Sequence, residues 1–125
     1  MELMLKQDWS GTMSKTLIIG GDGYIGNRLR EYFDDVDILD TCWFGEEISS
    51  DTDVIVKDYR DMNKEFYSKY NNIILLAGHS SVKMAEGDPL SCFKNNVTNF
   101  IELMEKLNNK QKFIYASSSS VYGSV

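Results

Sequence analysis

Four glycines within seven residues form the segment of this chain whose spacing points most directly to chemistry. The segment reads Gly-Gly-Asp-Gly-Tyr-Ile-Gly from Gly20 to Gly26, with a short apolar run before it and a helical pattern after it. A strand, a glycine turn and a helix in this order bind a dinucleotide pyrophosphate through backbone N–H groups at the helix N-terminus. The glycines fit G-x-G-x-x-G when counted from Gly21 and G-x-x-G-x-x-G when counted from Gly20, and such turns can also serve only to reverse the chain. The predicted cofactor contacts in this segment are Gly20, Gly23, Tyr24, Ile25 and Gly26.

An acidic residue stands at the distance that ribose recognition requires. Asp40 closes the second apolar run, about twenty residues after the first glycines, where a carboxylate accepts hydrogen bonds from the adenosine ribose. It would also repel a 2′-phosphate, and no lysine or arginine occurs at 41–44. The pattern predicts NAD rather than NADP as the cofactor, with an ordinary acidic loop residue as the alternative.

The elements that must position these residues alternate between strand and helix. Strands are predicted at 15–20, 36–39, 53–57, 73–77 and 112–116, and helices at 25–33, 61–70 and 88–108. Strands that alternate with helices predict a parallel sheet with right-handed crossovers. We therefore expect an α/β fold of Rossmann type with helices on both faces.

Apolar residues at helical spacing predict which helix faces cover this sheet. For the first and second helices they are Ile25, Leu29 and Phe33, and Met62, Phe66 and Tyr70. For the third they are Phe93, Val97, Phe100, Ile101 and Met104. Asp88 and Pro89 suit the start of that third helix, because aspartate caps a helix and proline fits its first turn.

The composition excludes several classes of protein. A length of 125 residues with 42% hydrophobic residues allows one modest packed domain. The net charge of −6 argues against nucleic acid or an anionic membrane as a partner, and no apolar run reaches membrane-spanning length. Cys42, Cys92 and His79 have no metal-ligand spacing, so no metal site is expected, and both thiols are expected to be free in a reducing cytoplasm.

Four separated segments resemble the extended short-chain dehydrogenase/reductase family, which includes the NAD-dependent nucleotide-sugar epimerases and dehydratases. They are the glycine segment, Val-Lys-Asp-Tyr-Arg-Asp at 56–61, Leu-Leu-Ala-Gly-His-Ser-Ser-Val at 75–82 with Asp-Pro at 88–89 and Asn-Asn-Val at 95–97, and Tyr-Ala-Ser-Ser-Ser-Ser-Val-Tyr-Gly at 115–123. One departure is Asn99-Phe100, where the family usually has Gly-Thr. The resemblance implies an N-terminal extension at 1–14, followed by an NAD-binding Rossmann domain at 15–125 that is truncated after its fifth strand.

The resemblance also implies roles for residues outside the glycine segment. Asp58 would accept a hydrogen bond from the adenine amino group beside the Tyr59 backbone, with helix capping as the structural alternative. Ala77 and Gly78 would pass close to the cofactor, with tight sheet packing as their alternative. Asn96 would brace the loop after the fourth strand; its alternative is a solvent-facing helical asparagine.

Ser118 is implied as the active-site hydroxyl that contacts the sugar hydroxyl being oxidised and the catalytic tyrosine. The alternative is a serine that satisfies only backbone groups. Tyr122 lacks the lysine of the family's Tyr-x-x-x-Lys pair, and His79 fits a loop position better than a catalytic base. Because neither that pair nor the substrate-binding part occurs in the sequence, we expect a fragment or a truncated product without turnover.

The function implied is the NAD-binding part of a nucleotide-sugar epimerase, or of a related oxidoreductase, that transfers a hydride at a sugar hydroxyl. The complete protein is expected to be cytoplasmic and to bind a nucleotide sugar, and a homodimer is one expected assembly. The neutral Ser119 and Ser120 stand where the family's dehydratases have an acid–base pair, which favours epimerisation or simple oxidoreduction over dehydration. The alternative from another class is a non-catalytic dinucleotide-binding module that senses redox state or scaffolds a partner.

Overall fold

A five-stranded parallel sheet forms the centre of the computed structural model, which describes residues 14–41, 54–78 and 86–116. The strands are β1 (Thr16–Ile19), β2 (Val36–Asp40), β3 (Val54–Val56), β4 (Asn72–Leu75) and β5 (Lys112–Tyr115). They lie in the order β3-β2-β1-β4-β5, and every adjacent pair is parallel. The sheet grows from β1 first to one side and then to the other, so the expected Rossmann-type topology is confirmed.

The central strand β1 is buried along its whole length. Its Ile18 pairs with Ile38 of β2 on one side and with Ile74 of β4 on the other. A parallel strand with both edges paired and both faces covered is apolar throughout, which explains why the short apolar runs were sufficient to predict it.

The helical elements are short and partly irregular. They are α1 (Tyr24–Leu29), which continues into a 3₁₀ turn (Arg30–Tyr32), a second 3₁₀ turn (Tyr59–Asp61), α2 (Lys64–Tyr67), α3 (Pro89–Phe93), a π turn (Lys94–Thr98) and α4 (Asn99–Lys106). The segments α3, π turn and α4 follow without a break, and we call residues 89–106 the long helix. Asp88 caps it as predicted, because its carboxylate accepts from the Ser91 N–H at 3.1 Å.

Helical elements cover both faces of the sheet, as expected. On one face Tyr67, Tyr70 and Leu103 form a cluster with alternate residues of β1, β2 and β4. On the other face Leu29 and Phe33 pack against Ile18, Ile38 and Ile74. Within the described ranges, no helix is long and apolar enough to cross a membrane.

The helix predicted at 61–70 is wrong in its extent. The Asp58 carboxylate accepts from the Arg60 N–H and the Asn63 amide oxygen accepts from the Phe66 N–H, so two caps start two separate short turns. The predicted face is correct, since Tyr70 is buried and Met62 and Phe66 pack against the same cluster. The fully buried Tyr67 was not predicted.

The predicted face of the first helix is wrong only at Ile25, since Leu29 and Phe33 pack against the sheet, whereas the predicted face of the long helix is wrong at most of its residues. Ile25 is 60% exposed in the first turn of α1, where Tyr24 is exposed as well. In the long helix Phe100 is half-buried as predicted, but the buried residues are Asn99 and Leu103. Its predicted core residues Phe93, Val97, Ile101 and Met104 are exposed, together with Leu90. The π turn explains the result for the residues that follow it, because each residue added to a helical turn rotates the following side chains by about 100°. It does not account for Leu90 and Phe93, which precede the turn.

Candidate functional site

The glycine loop lies at the carboxyl ends of the strands, where the chain order reverses between β1 and β4. In open α/β sheets this crevice is where ligands bind. Gly20 has φ +78°, and a Cβ there would stand 2.6 Å from the Ala77 backbone nitrogen. Gly20 is therefore required both by its backbone conformation and by its close approach to the segment that follows β4.

The remaining glycines of the loop have two different environments. A Cβ on Gly26 would lie 2.3 Å from the Gly21 carbonyl oxygen, and a Cβ on Gly21 would lie 2.8 Å from the Ile38 side chain. By contrast, the nearest atom to a Cβ on Gly23 would be 3.8 Å away. Packing therefore explains Gly21 and Gly26, so both glycine spacings matter, whereas nothing in the described fold requires glycine at position 23.

A carboxylate at the end of β2 holds the loop. The Asp22 N–H donates to Oδ2 of Asp40 at 2.9 Å, and Asn27 Nδ2 donates to the Asp22 and Gly23 carbonyl oxygens, each at 3.0 Å. An ionised carboxylate has about four acceptor sites, so this contact is compatible with further donors such as ribose hydroxyls. No spacing rule pointed to Asn27 or Asp22, whose roles depend on how the loop folds back.

The predicted adenine-binding carboxylate is paired with an arginine on the same turn. Arg60 Nε lies 3.0 and 2.9 Å from the two Asp58 oxygens, and Arg60 Nη2 also bonds the carboxylate. The guanidinium of Arg60 holds the pKa of Asp58 below its ordinary value. Asp58 also caps the 3₁₀ turn, so the capping role is real, and the group remains a charged acceptor beside an open cavity of about 430 Å³.

Tyr59 anchors the 3₁₀ turn in the core. Its carbonyl oxygen accepts from the Tyr67 hydroxyl at 2.6 Å. Burial, followed by the nearby Asp58 charge, raises the pKa of Tyr59. Lys106 Nζ donates to the Arg60 carbonyl at 2.9 Å, so the long helix also holds this turn.

The segment after β4 meets the long helix at Gly78. Gly78 has φ +146°, and a Cβ there would stand 2.7 Å from Oδ1 of Asn96. Asn96 Nδ2 in turn donates to Cys92 Sγ at 3.5 Å. The structure therefore places Asn96 beside this loop, at an exposed position of the long helix.

Several predicted residues lie outside the described ranges: Ser118, Ser119, Ser120, Tyr122, His79 and Cys42. Within those ranges, no cluster of three or more histidine, cysteine, aspartate or glutamate side chains could hold a metal ion. The geometry thus brings together the glycine loop, Asp40, the Asp58 turn and the Gly78–Asn96 contact along the carboxyl edge of one sheet.

The family model described as "NAD dependent epimerase/dehydratase family" matches residues 16–125. A UDP-glucose 4-epimerase from Lactobacillus helveticus is 31% identical over 87% of this chain and 37% of its own length. The solved UDP-Glc/GlcNAc 4-epimerase from Campylobacter jejuni is 27% identical with a TM-score of 0.72, over 88% of this chain and 39% of that one. The same fold occurs in a solved UDP-glucose 4-epimerase from Stenotrophomonas maltophila with bound NAD and formylated UDP-arabinopyranose. That structure is 20% identical with a TM-score of 0.70, over 88% of this chain and 38% of that one. This chain therefore spans less than two fifths of the length of the curated relative.

Proposed function

The chain belongs to the NAD-dependent epimerase/dehydratase family, and from this membership we propose that residues 15–125 are the NAD-binding domain of a nucleotide-sugar epimerase. The observation that carries the proposal is the difference among the loop glycines. Gly20, Gly21 and Gly26 are explained by packing, whereas a Cβ on Gly23, the N-cap of α1, would meet only the Gly20 carbonyl oxygen at an ordinary contact distance of 3.8 Å. We infer that glycine occurs at position 23 because a side chain there would fill the space of a ligand, since no close contact within the fold requires it.

The residues of this site fit the parts of NAD, the cofactor of the family. The loop from Gly20 to Gly26 would hold the pyrophosphate through backbone N–H groups, including those of Tyr24 and Ile25. Asp40 would accept from the adenosine ribose hydroxyls while it keeps the Asp22 N–H. Asp58, beside the Tyr59 backbone, would accept from the adenine amino group.

The other end of the cofactor would lie toward the segment after β4. Ala77 and Gly78 leave room for it because neither carries a large side chain, and Asn96 would hold the Gly78 backbone in place. NAD, when bound, supplies a hydride acceptor for the oxidation of a sugar hydroxyl. Ser118, which follows β5, would hydrogen-bond that hydroxyl and orient it.

The chain itself favours epimerisation over dehydration. Elimination of water from an oxidised sugar needs a general acid and a general base, and the hydroxyls of Ser119 and Ser120 are poor at both at neutral pH. We expect the complete enzyme to return a product of unchanged mass and altered stereochemistry from a nucleotide sugar. Mass analysis of the products tests this, and a product lighter by one water would refute it.

A pair of glycine substitutions tests the cofactor site. Gly23→Ala should cost the fold at most about 1 kcal/mol, because glycine is only modestly better than alanine at a helix N-cap. It should weaken NAD binding at least tenfold in calorimetric titration, since the methyl group occupies the space for the pyrophosphate. Gly87→Ala, an exposed position with no atom within 4 Å of the added Cβ, is the matched control and should bind NAD like the wild type. Equal NAD affinity in both variants would contradict the proposal.

A further inference from the structure

We propose that Tyr67 and Lys106 are positioning residues for adenine recognition: together they clamp the turn that presents the Asp58 carboxylate. The inference rests on the proposed NAD site, and none of the cofactor contacts assigned there is made by either residue. The two residues belong to different elements, α2 and the long helix. Each donates a side-chain hydrogen bond to a backbone carbonyl of the same turn, Tyr59–Asp61.

Tyr67 is the largest side chain that is fully buried in the described part of the chain. Its ring packs in the cluster on one face of the sheet and meets the Phe66 ring edge-on, with 5.3 Å between the ring centroids. A phenylalanine would fill the same space without a polar group, and a buried hydroxyl is stable only when it has a partner. The Tyr67 hydroxyl donates to the Tyr59 carbonyl oxygen at 2.6 Å, so this bond, rather than packing, explains why the residue is a tyrosine.

The carbonyl that accepts this bond also closes the turn. The Met62 N–H donates to the same Tyr59 oxygen at 3.3 Å. Lys106 Nζ donates to the next carbonyl along the chain, that of Arg60, at 2.9 Å. Two consecutive peptide groups of the turn are therefore held by other elements, one by the end of α2 and one by the last residue of the long helix.

The Asp58 carboxylate shares the orientation of this turn. It accepts from the Arg60 N–H at 2.9 Å and from Arg60 Nε at 3.0 and 2.9 Å, so it is tied to the backbone that follows it. The direction in which it points therefore depends on how the turn is fixed to the rest of the molecule. Because an N–H···O bond is strong only over distances of about 2.7–3.2 Å, a small tilt of the turn would weaken the bond to the adenine amino group.

The two clamping bonds differ in how easily water can replace them. The Tyr67 side chain is buried, and burial raises the pKa of its hydroxyl, which therefore remains a protonated donor at neutral pH. Lys106 is partly exposed, so water can satisfy the Arg60 carbonyl when the amine is removed. Loss of the Tyr67 hydroxyl should therefore disturb the turn more than loss of the Lys106 amine, because a buried acceptor without a partner is costly.

The decisive readout is the preference for AMP over IMP, because these two nucleotides differ at the amino group that Asp58 would recognise. In Tyr67→Phe, AMP affinity in calorimetric titration should fall by about fivefold, the worth of one hydrogen bond, while IMP affinity should change little. Tyr70→Phe is the matched control. It removes a hydroxyl from the same core cluster, but that hydroxyl bonds Asp37 of β2 at 2.7 Å, so the wild-type ratio should be kept. In an Asp58→Ala background, Tyr67→Phe should leave the ratio unchanged, since the group through which it acts is absent.

The substitution Lys106→Met tests the other half of the clamp. AMP affinity should fall by about twofold relative to IMP affinity, because water replaces part of the lost bond. Lys110→Met, which removes the same charge from an exposed position, is the control and should not change the ratio. The ratio separates the clamp from simple charge effects, because loss of a positive charge weakens both nucleotides equally. If Tyr67→Phe does not fold, Lys106→Met decides by the same measurements.

Amide hydrogen exchange supplies a readout that does not depend on nucleotide binding. The Met62 amide, whose acceptor is the Tyr59 carbonyl, should exchange about tenfold faster in Tyr67→Phe than in Tyr70→Phe. An unchanged AMP/IMP ratio in Tyr67→Phe, or an equal fall in Tyr70→Phe, would overturn the clamp. A wild-type chain that binds neither nucleotide would instead refute the proposed NAD site, and exchange of the Met62 amide would then decide whether Tyr67 fixes the turn.

Discussion

The substitution Gly26→Ala sets two opposing effects against each other. Alanine is favoured over glycine inside a helix by about 1 kcal/mol, so propensity alone predicts stabilisation. The added Cβ, however, would lie 2.3 to 2.5 Å from three backbone atoms of Gly21, where ordinary contact begins at 3.4 Å. The glycine loop would have to retreat by about 1 Å, and overpacking against a backbone that cannot rotate away costs about 3 kcal/mol or more.

We therefore expect Gly26→Ala to lower the free energy of unfolding by about 2 kcal/mol. For a chain of this length that corresponds to a fall in Tm of roughly 8 °C. Urea denaturation followed by circular dichroism measures the change, with Gly87→Ala as the control, because the Cβ added there meets nothing within 4 Å. A Gly26→Ala protein within about 0.5 kcal/mol of the wild type would refute the close contact between the loop and α1.

Three further substitutions test charge and burial. Asp40→Asn should reduce the preference for NAD over NADP, because the charge that repels a 2′-phosphate is removed while an oxygen remains for the glycine loop. Burial and the hydrogen bond to Asp37 raise the pKa of Tyr70. This group therefore contributes stability below about pH 10 that is lost as the pH rises through the pKa of Tyr70 in the folded state. Tyr70→Phe should make the free energy of unfolding fall less steeply at alkaline pH. Arg60 lowers the pKa of Asp58, so their bond stabilises the fold above about pH 4 and is lost as the pH falls through the pKa of Asp58 in the folded state. Arg60→Met should lower the free energy of unfolding by at most about 1 kcal/mol, because both side chains are partly exposed.

Each of these three has a contrary outcome. An unchanged NAD/NADP ratio in competitive titration would remove the role given to Asp40. Identical alkaline unfolding curves for the wild type and Tyr70→Phe, with the more exposed Tyr32→Phe as control, would show that Tyr70 ionises as it does in water. Equal stability of the wild type and Arg60→Met at pH 7 would mean that the bidentate pair contributes nothing measurable.

The strands of the sheet could be predicted because each one is marked by a short apolar run in the local sequence. The runs Leu17–Ile19 and Ile73–Leu75 are apolar without alternation, as strands buried on both faces must be. The glycine spacing predicted the loop because a tight turn and close backbone contacts require glycine at particular positions. The two caps that divide the region after β3 were not used in predicting a single helix at 61–70, although Asp58 and Asn63 are both favoured capping residues.

The helix faces and the polar contacts could not be predicted in the same way. After a π turn, a regular 3.6-residue period assigns the wrong face to the residues that follow in the long helix. No residue type between Lys94 and Thr98 predicts that turn. The bonds of Lys106 to the Arg60 carbonyl and of Gln111 to the Tyr67 and Tyr70 carbonyls join residues that are far apart in the chain. Such contacts depend on tertiary packing, and a single sequence does not record them.

The strand order has a consequence for how the protein is made. β1 finds its first partner, β2, soon after it leaves the ribosome, but its other edge pairs with β4, and Thr16 and Asn72 are separated by 56 residues. At a synthesis rate of 5–20 residues per second, that edge stays open for roughly 3–11 seconds on every nascent chain. During that interval β1, which is buried along its whole length in the folded chain, presents free N–H and C=O groups to its surroundings, so cotranslational folding of this chain depends on how fast translation reaches β4.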